Sequence, residues 1–100
     1  MKIGNYMKKT SRLFFEEAKL NFVVYNFEKA YYSFNTFYNL FRAKQHSQEE
    51  KESYREELEE MLVATISITE SILESEKDYE LCEKMSSITK NIIKILEREL

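Results

Sequence analysis

The stretch NFEKAYYSFNTFYNLF, residues 26–41, contains seven aromatic side chains. Most of them recur at steps of three and four, the spacing that keeps residues on one face of an α-helix. The same spacing continues upstream into an apolar stripe made of Leu13, Leu20, Val24, Phe27, Tyr31, Phe34, Tyr38 and Phe41. Aromatic residues in such a stripe are typical of a protein core. We therefore predict one long first helix, from Thr10 or Ser11 to about Lys44, with this stripe as its buried face.

The composition favours helices throughout the chain. The sequence has one Gly, no Pro and 33% charged residues, so it lacks the usual residues of tight turns. One hundred residues are too few to divide into two domains that each bury a sizeable core. We predict an all-α fold with one helical domain over residues 1–100. Residues 1–9 show no periodicity, and we interpret them as a flexible basic tail.

Two further helices are predicted in the second half. The segment Ser47-Gln48-Glu49-Glu50 is a capping box, so the second helix is expected to begin near Gln48. Its apolar stripe is Tyr54, Leu58, Met61, Thr65, Ile68 and Ile72. This stripe loses register at residues 74–80, where Ser75 or Asp78 can cap a third helix with the stripe Leu81, Met85, Ile88, Ile92, Ile95 and Leu96. The resulting fold is a three-helix antiparallel bundle. The alternative is a two-helix hairpin in which the second helix continues without a break.

A second apolar face lies on the far side of the predicted first helix. It consists of Phe15, Ala18, Phe22, Tyr25 and Tyr32, with Lys29 at the position between the last two. A three-helix bundle covers only one side of a helix well, and large exposed apolar strips are unusual on monomers. We predict that Phe15, Phe22, Tyr25, Lys29 and Tyr32 bind a partner, either a second copy in a homo-oligomer such as a dimer or another protein. The alternative is that the third helix covers this face.

Charge is distributed unevenly along the chain. Residues 1–46 carry eight Lys and Arg against three Glu, and residues 47–100 carry seven against fifteen Asp and Glu. One interpretation is that a basic first half packs beside an acidic second half. The other is a basic arm that reaches for an acidic partner, made of Lys2, Lys8, Lys9 and Arg12. One basic cluster on an acidic protein argues against strong duplex binding, so we do not expect nucleic acid as the partner.

The residue types exclude several kinds of chemistry. A single cysteine, Cys82, cannot form an intrachain disulfide, and the one histidine and one cysteine match no usual zinc pattern. A Gly-rich phosphate loop is absent because Gly4 stands alone. No stretch approaches the ~18 apolar residues of a membrane span. We expect a cytoplasmic protein with no metal, no cofactor and no membrane association, and we do not expect an enzyme.

The segment RAKQH, residues 42–46, resembles the Arg-to-His pair of the HEPN ribonucleases. Arg42 and His46 would share one face at a helix end, with three residues between them, fewer than that family usually has. The resemblance implies a small all-α protein that dimerises with both residues at the dimer cleft. The alternative is a cationic helix end, in which these side chains offset the helix dipole.

Three functions are consistent with the sequence. The first is a non-enzymatic helical interaction protein, a small regulator or inhibitor of the phage, antitoxin or immunity type, that oligomerises or binds a larger protein through a helix face. The second is an oligomeric binder of a nucleotide-like ligand, with pockets lined by Tyr25, Tyr32 and basic residues. The third is a HEPN-like ribonuclease or a protein associated with nucleic acid.

Overall fold

The computed structural model describes the backbone of residues 3–75 and 78–100, and the side chains of residues 10–75 and 78–100. Within these ranges the chain forms four α-helices, α1 (Ile3–Val23), α2 (Phe27–Arg42), α3 (Gln48–Ser75) and α4 (Tyr79–Lys94). A short π-helical turn, Ile95–Glu99, follows α4. The prediction of an all-α fold is confirmed.

The helices form two compact units, Met1–Gln45 and His46–Leu100. The first contains α1 and α2, and the second contains α3, α4 and the π-helical turn. In each unit, residues that come later in one helix contact residues that come earlier in the next, so each unit is an antiparallel helical hairpin. The unit boundary coincides with the change in charge. The first hairpin carries eight basic against three acidic residues, and the second carries seven against fifteen.

The predicted long first helix is interrupted by a turn at residues 24–26. Tyr25 has a φ angle of +62°, and its N–H donates to the Phe22 carbonyl at 3.2 Å. The Asn26 N–H donates to the Asn21 carbonyl at 2.8 Å. These two hydrogen bonds and the left-handed residue define a Schellman motif, which ends a helix by satisfying its last carbonyl groups. The prediction of one long first helix is therefore wrong, and the three-helix bundle built on it is not confirmed.

The beginning of α1 also differs from the expectation. We predicted a start at Thr10 or Ser11, whereas α1 begins at Ile3. The segment between these positions contains Met and Lys, which have good helix propensity, so a helix can extend through it without an apolar stripe. Residues 3–9, which we assigned to a basic tail, are thus part of α1, and residues 1–2 lie outside the described range.

The turn brings the two apolar faces of the predicted long helix into contact with each other. Phe15 of α1 packs on Phe37 of α2 with ring centroids 4.7 Å apart, and Phe37 also contacts Phe34 at 5.6 Å and Phe41 at 5.4 Å. All four rings are fully buried. The core face of α1 is therefore the face that we had assigned to a partner. The first part of the stripe that we had assigned to the core is exposed: Leu13 and Leu20 of α1 and Val24 of the turn.

The second hairpin follows its predicted pattern closely. Its core contains most residues of the two predicted stripes, namely Tyr54, Leu58, Met61, Thr65, Ile72, Met85, Ile88, Ile92 and Ile95. The other three, Ile68, Leu81 and Leu96, are half-buried. Asp78 is not helical, and its carboxylate accepts the Leu81 N–H at 3.1 Å, so it caps α4 as predicted. The alternative of a second helix that continues without a break is therefore not supported. Residues 76–77, also part of the predicted break, lie outside the described residues.

A buried polar contact links the two helices of this hairpin. Thr65 Oγ1 lies 2.9 Å from Thr89 Oγ1, and Thr65 itself donates to the Leu62 carbonyl at 3.0 Å. Thr65 is fully buried, so a shift in register between α3 and α4 would leave its hydroxyl without the Thr89 partner. The pair therefore favours one alignment of the helices.

Ser47 caps the start of α3 as predicted, and its contact with Glu50 is between the two side chains. The Glu50 N–H donates to Ser47 Oγ at 3.2 Å, and Ser47 Oγ donates to the Glu50 carboxylate at 3.2 Å. We expect Ser47→Ala to lower the free energy of unfolding by about 1 kcal/mol, because an N–H at the helix start loses its acceptor. Chemical denaturation monitored by circular dichroism measures this change. Ser75→Ala at the other end of α3 is the matched control, and an equal loss in both variants would contradict a capping role.

Candidate interaction surface

A contiguous group of apolar side chains is exposed at the end of the first hairpin. It comprises the last turn of α1 and the residues that follow, and we call it the tip patch: Leu20 (62% exposed), Val23 (73%), Val24 (58%) and Tyr25 (79%). These residues are adjacent because they occupy one helical turn and the Schellman motif that ends it. The backbone of the patch is held by the hydrogen bonds of that motif.

Tyr25 is an unusual residue for its position. The left-handed conformation costs a non-glycine residue roughly 1–2 kcal/mol, and glycine is the common choice at this point of a Schellman motif. The Tyr25 ring lies edge-on to Phe27 at a centroid distance of 6.0 Å, yet most of its surface remains accessible. A left-handed backbone that presents an exposed aromatic ring makes Tyr25 a candidate for a functional position.

The five residues predicted to bind a partner do not share one face. The prediction that Phe15 binds a partner is not supported, because its ring is buried in the hairpin core. Phe22 is half-buried, with its ring 6.5 Å from that of Phe27. Tyr25 lies in the tip patch. Lys29 and Tyr32 are exposed on α2. The separation arises because the turn divides the segment that we had treated as one helix.

Arg12 is the residue of the predicted basic arm whose side chain the structure describes, and its contacts lie within α1. The Arg12 guanidinium pairs with the Glu16 carboxylate at 2.7 Å, and Lys19 approaches the same carboxylate at 3.7 Å. Both cations also lie over the Phe15 ring, at 5.2 Å and 5.6 Å from its centroid. These exposed contacts cover the outer side of a core ring. The side chains of Lys8 and Lys9 lie outside the described residues.

The second hairpin has an open groove between α3 and α4. Two adjoining depressions, of about 560 Å³ and 230 Å³, share Thr69, Ser86 and Lys90. The remaining lining residues are Ile66, Glu70, Leu73, Tyr79, Cys82, Glu83, Ser87 and Thr89. The groove is thus apolar along parts of its rim and lined by small polar side chains. Neither depression includes the tyrosines that we had expected to line a ligand pocket.

Arg42 and His46 do not lie on one helix. Helix α2 ends at Arg42, whose guanidinium lies 5.1 Å from the centroid of the Tyr38 ring. His46 belongs to the second unit, and its Nδ1 lies 3.2 Å from a Glu50 carboxylate oxygen. The expectation that Arg42 and His46 share one face of a helix is therefore wrong. Their spacing in sequence is not a helical spacing, because no helix connects them.

Membrane-spanning helices, metal sites and similar proteins were searched for in turn. Among the described residues, none of the helices combines the length and apolar character needed to cross a membrane. In the same part of the chain, no three His, Cys, Asp or Glu side chains come together in an arrangement that could hold a metal ion. Comparisons with protein-family models, with curated proteins and with solved structures found no match to this chain.

Proposed function

We propose that this chain is a non-enzymatic helical interaction protein that docks its tip patch onto another protein chain, in the first place a second copy of itself. The observation that carries the proposal is the exposure of Tyr25 on a strained backbone, flanked by three exposed aliphatic side chains. Tyrosine is enriched in protein interfaces because its ring buries a large area at a small cost in conformational entropy. In this role the protein acts as a small regulator or inhibitor.

The composition of the patch suits a binding centre. Binding energy in interfaces concentrates in a few well-packed residues, often aromatic, surrounded by contacts that exclude water. Tyr25 supplies such an aromatic anchor, and the neighbouring Val23 and Val24 supply apolar surface with few rotamers to immobilise. The Schellman motif fixes the backbone before binding, so little entropy remains to be lost there.

The first test places a charge in the patch. We expect Val23→Glu to abolish self-association, because a carboxylate in an apolar interface loses its hydration without gaining a partner. Light scattering measures the molar mass. The matched control is Val63→Glu, since Val63 is exposed to a similar degree, 69% against 73%, but lies on α3. Equal molar masses of Val23→Glu and Val63→Glu would contradict self-association through the tip patch.

The second test separates binding from stability. Tyr25→Gly relieves the left-handed strain, so we expect the free energy of unfolding to rise by about 1 kcal/mol. The same substitution removes the aromatic anchor, so we expect dimer dissociation to become at least tenfold easier, a change of about 1.4 kcal/mol. A more stable protein that associates less cannot be explained by misfolding. Unchanged association would contradict the role assigned to Tyr25.

A further inference from the structure

The tip patch is a surface without charged side chains. It belongs to residues 20–27, LNFVVYNF, a run that contains no charged residue although 33% of the chain is charged. The polar side chains of Asn21 and Asn26 in this run already bond to their own backbone. Asn21 Nδ2 donates to the Glu17 carbonyl at 2.8 Å, and Asn26 Oδ1 accepts the Lys29 N–H at 3.4 Å. Covering the patch with another apolar surface therefore leaves no charge without water.

The carboxylates next to the patch on α1 have partners within the first hairpin. The Glu16 carboxylate pairs with Arg12 at 2.7 Å and with Lys19 at 3.7 Å. The Glu17 carboxylate accepts the Ser33 hydroxyl at 3.4 Å. Positive and negative charges are thus balanced along this part of α1. They give the patch neither a strong attraction to a charged partner nor a strong repulsion from a second copy of itself.

The exposed apolar side chains of α3 form a less suitable acceptor for the tip patch. Val63, Ile66 and Leu73 are all exposed there. However, the exposed Glu70 lies four residues after Ile66 and three before Leu73, a spacing that places it on the same helix face. An apolar tip docked on this face would remove water from the Glu70 carboxylate without supplying a partner. A second tip patch carries no such cost, because it holds no charge.

We propose that the tip patch of one chain docks on the tip patch of a second chain, so that the same surface is used by both copies about a two-fold axis. The inference rests on the proposed function and adds the identity of the acceptor. The four side chains of the patch together expose on the order of 500 Å², so two facing copies bury on the order of 1,000 Å², the lower limit for a specific interface. A contact of this size gives a dimer that dissociates on dilution. It involves the first hairpin alone.

The first experiment places opposite charges in the two patches. We expect Val23→Glu and Val23→Lys each to sediment as monomers of 12.1 kDa, because a dimer of either variant would hold two like charges in its interface. An equimolar mixture should form a heterodimer at least about tenfold more tightly than either variant self-associates, because a carboxylate of one chain then faces an ammonium of the other. The matched controls are Val63→Glu and Val63→Lys on α3, which should dimerise like the wild type, alone and mixed.

The second experiment needs no new charge pair. Val23→Glu, labelled with a fluorophore at its N-terminal amine, is mixed with an excess of unlabelled wild-type protein and followed by sedimentation velocity. If the patch binds its own kind, the labelled variant offers no intact acceptor and stays monomeric. If the acceptor lies elsewhere on the chain, the variant retains it, and the wild-type patch binds there. Labelled Val63→Glu is the control, and we expect it to enter dimers with the wild type.

Two results would overturn the inference: capture of labelled Val23→Glu by the wild type, or no heterodimer in the equimolar mixture. Either result leaves the proposed function standing, provided that the wild type dimerises and Val23→Glu alone does not. A monomeric wild type would contradict the proposed function and the inference together. Thermal unfolding by circular dichroism verifies the fold of each variant. Val24→Glu and Val24→Lys repeat the mixture at the adjacent patch position if a Val23 variant does not fold.

Discussion

Replacing Phe37 with alanine should lower the free energy of unfolding by about 3–5 kcal/mol, the range for removing a large buried aromatic side chain. Phe37 is fully buried, and its ring contacts three others, those of Phe15, Phe34 and Phe41, at centroid distances of 4.7–5.6 Å. These neighbours come from both helices of the first hairpin, so the substitution leaves a cavity between α1 and α2. Urea denaturation monitored by circular dichroism measures the change.

The control for this substitution is another aromatic residue of the same helix. Tyr32 is 61% exposed, and we expect Tyr32→Ala to alter the free energy of unfolding by less than about 1 kcal/mol. A small effect of Phe37→Ala would contradict the buried aromatic cluster. A large effect of Tyr32→Ala would indicate that its ring is buried, which would contradict the described hairpin.

In the second hairpin, replacing Ile92 with alanine should lower the free energy of unfolding by about 2–5 kcal/mol. Ile92 is fully buried, and the next residue, Ile93, is 38% exposed. Ile93→Ala therefore removes the same atoms from a neighbouring position on α4, and we expect a distinctly smaller loss. Comparing Ile92→Ala with Ile93→Ala therefore shows which face of α4 is buried. Equal losses would contradict the described orientation of this helix.

Sequence periodicity predicted the second hairpin well and the first one poorly. In α3 and α4 most of the stripe residues are buried, and the Ser47 and Asp78 caps appear where we expected them. In the first hairpin the apolar spacing continues through Leu20, Val24 and Phe27 without interruption, although the helix ends between them. No Gly or Pro marks the turn. The available signal was Asn26, a residue type favoured at helix N-caps, whose side chain accepts the Lys29 N–H at 3.4 Å.

The physical reason for this turn is a tertiary interaction that local spacing does not contain. A straight helix would leave one of two apolar faces in water, whereas the turn buries Phe15 and Ala18 of α1 together with the rings of α2. Each large ring removes about 150–250 Å² from water. That gain exceeds the roughly 1–2 kcal/mol that the left-handed Tyr25 costs. The sequence pattern correctly indicated two apolar faces, but we had assigned the face that contains Phe15 and Ala18 to a partner.

The candidate site was therefore predicted only in part. Tyr25 was expected to bind a partner, and it lies in the tip patch with a high exposed fraction. Leu20 and Val24 were assigned to the core, because their spacing relative to Phe27 is helical, and the turn makes that spacing irrelevant. The groove of the second hairpin was not predicted, since its lining residues fall between the stripes and depend on how α3 and α4 pack.

The central claim is that the exposed apolar surface of the first hairpin docks onto a second copy of the chain. Sedimentation equilibrium of the wild-type protein over a wide concentration series tests this claim most directly. We predict that the molar mass rises with concentration from 12.1 kDa, the mass of one chain, to twice that value. A mass that stays at 12.1 kDa at every concentration would contradict the claim.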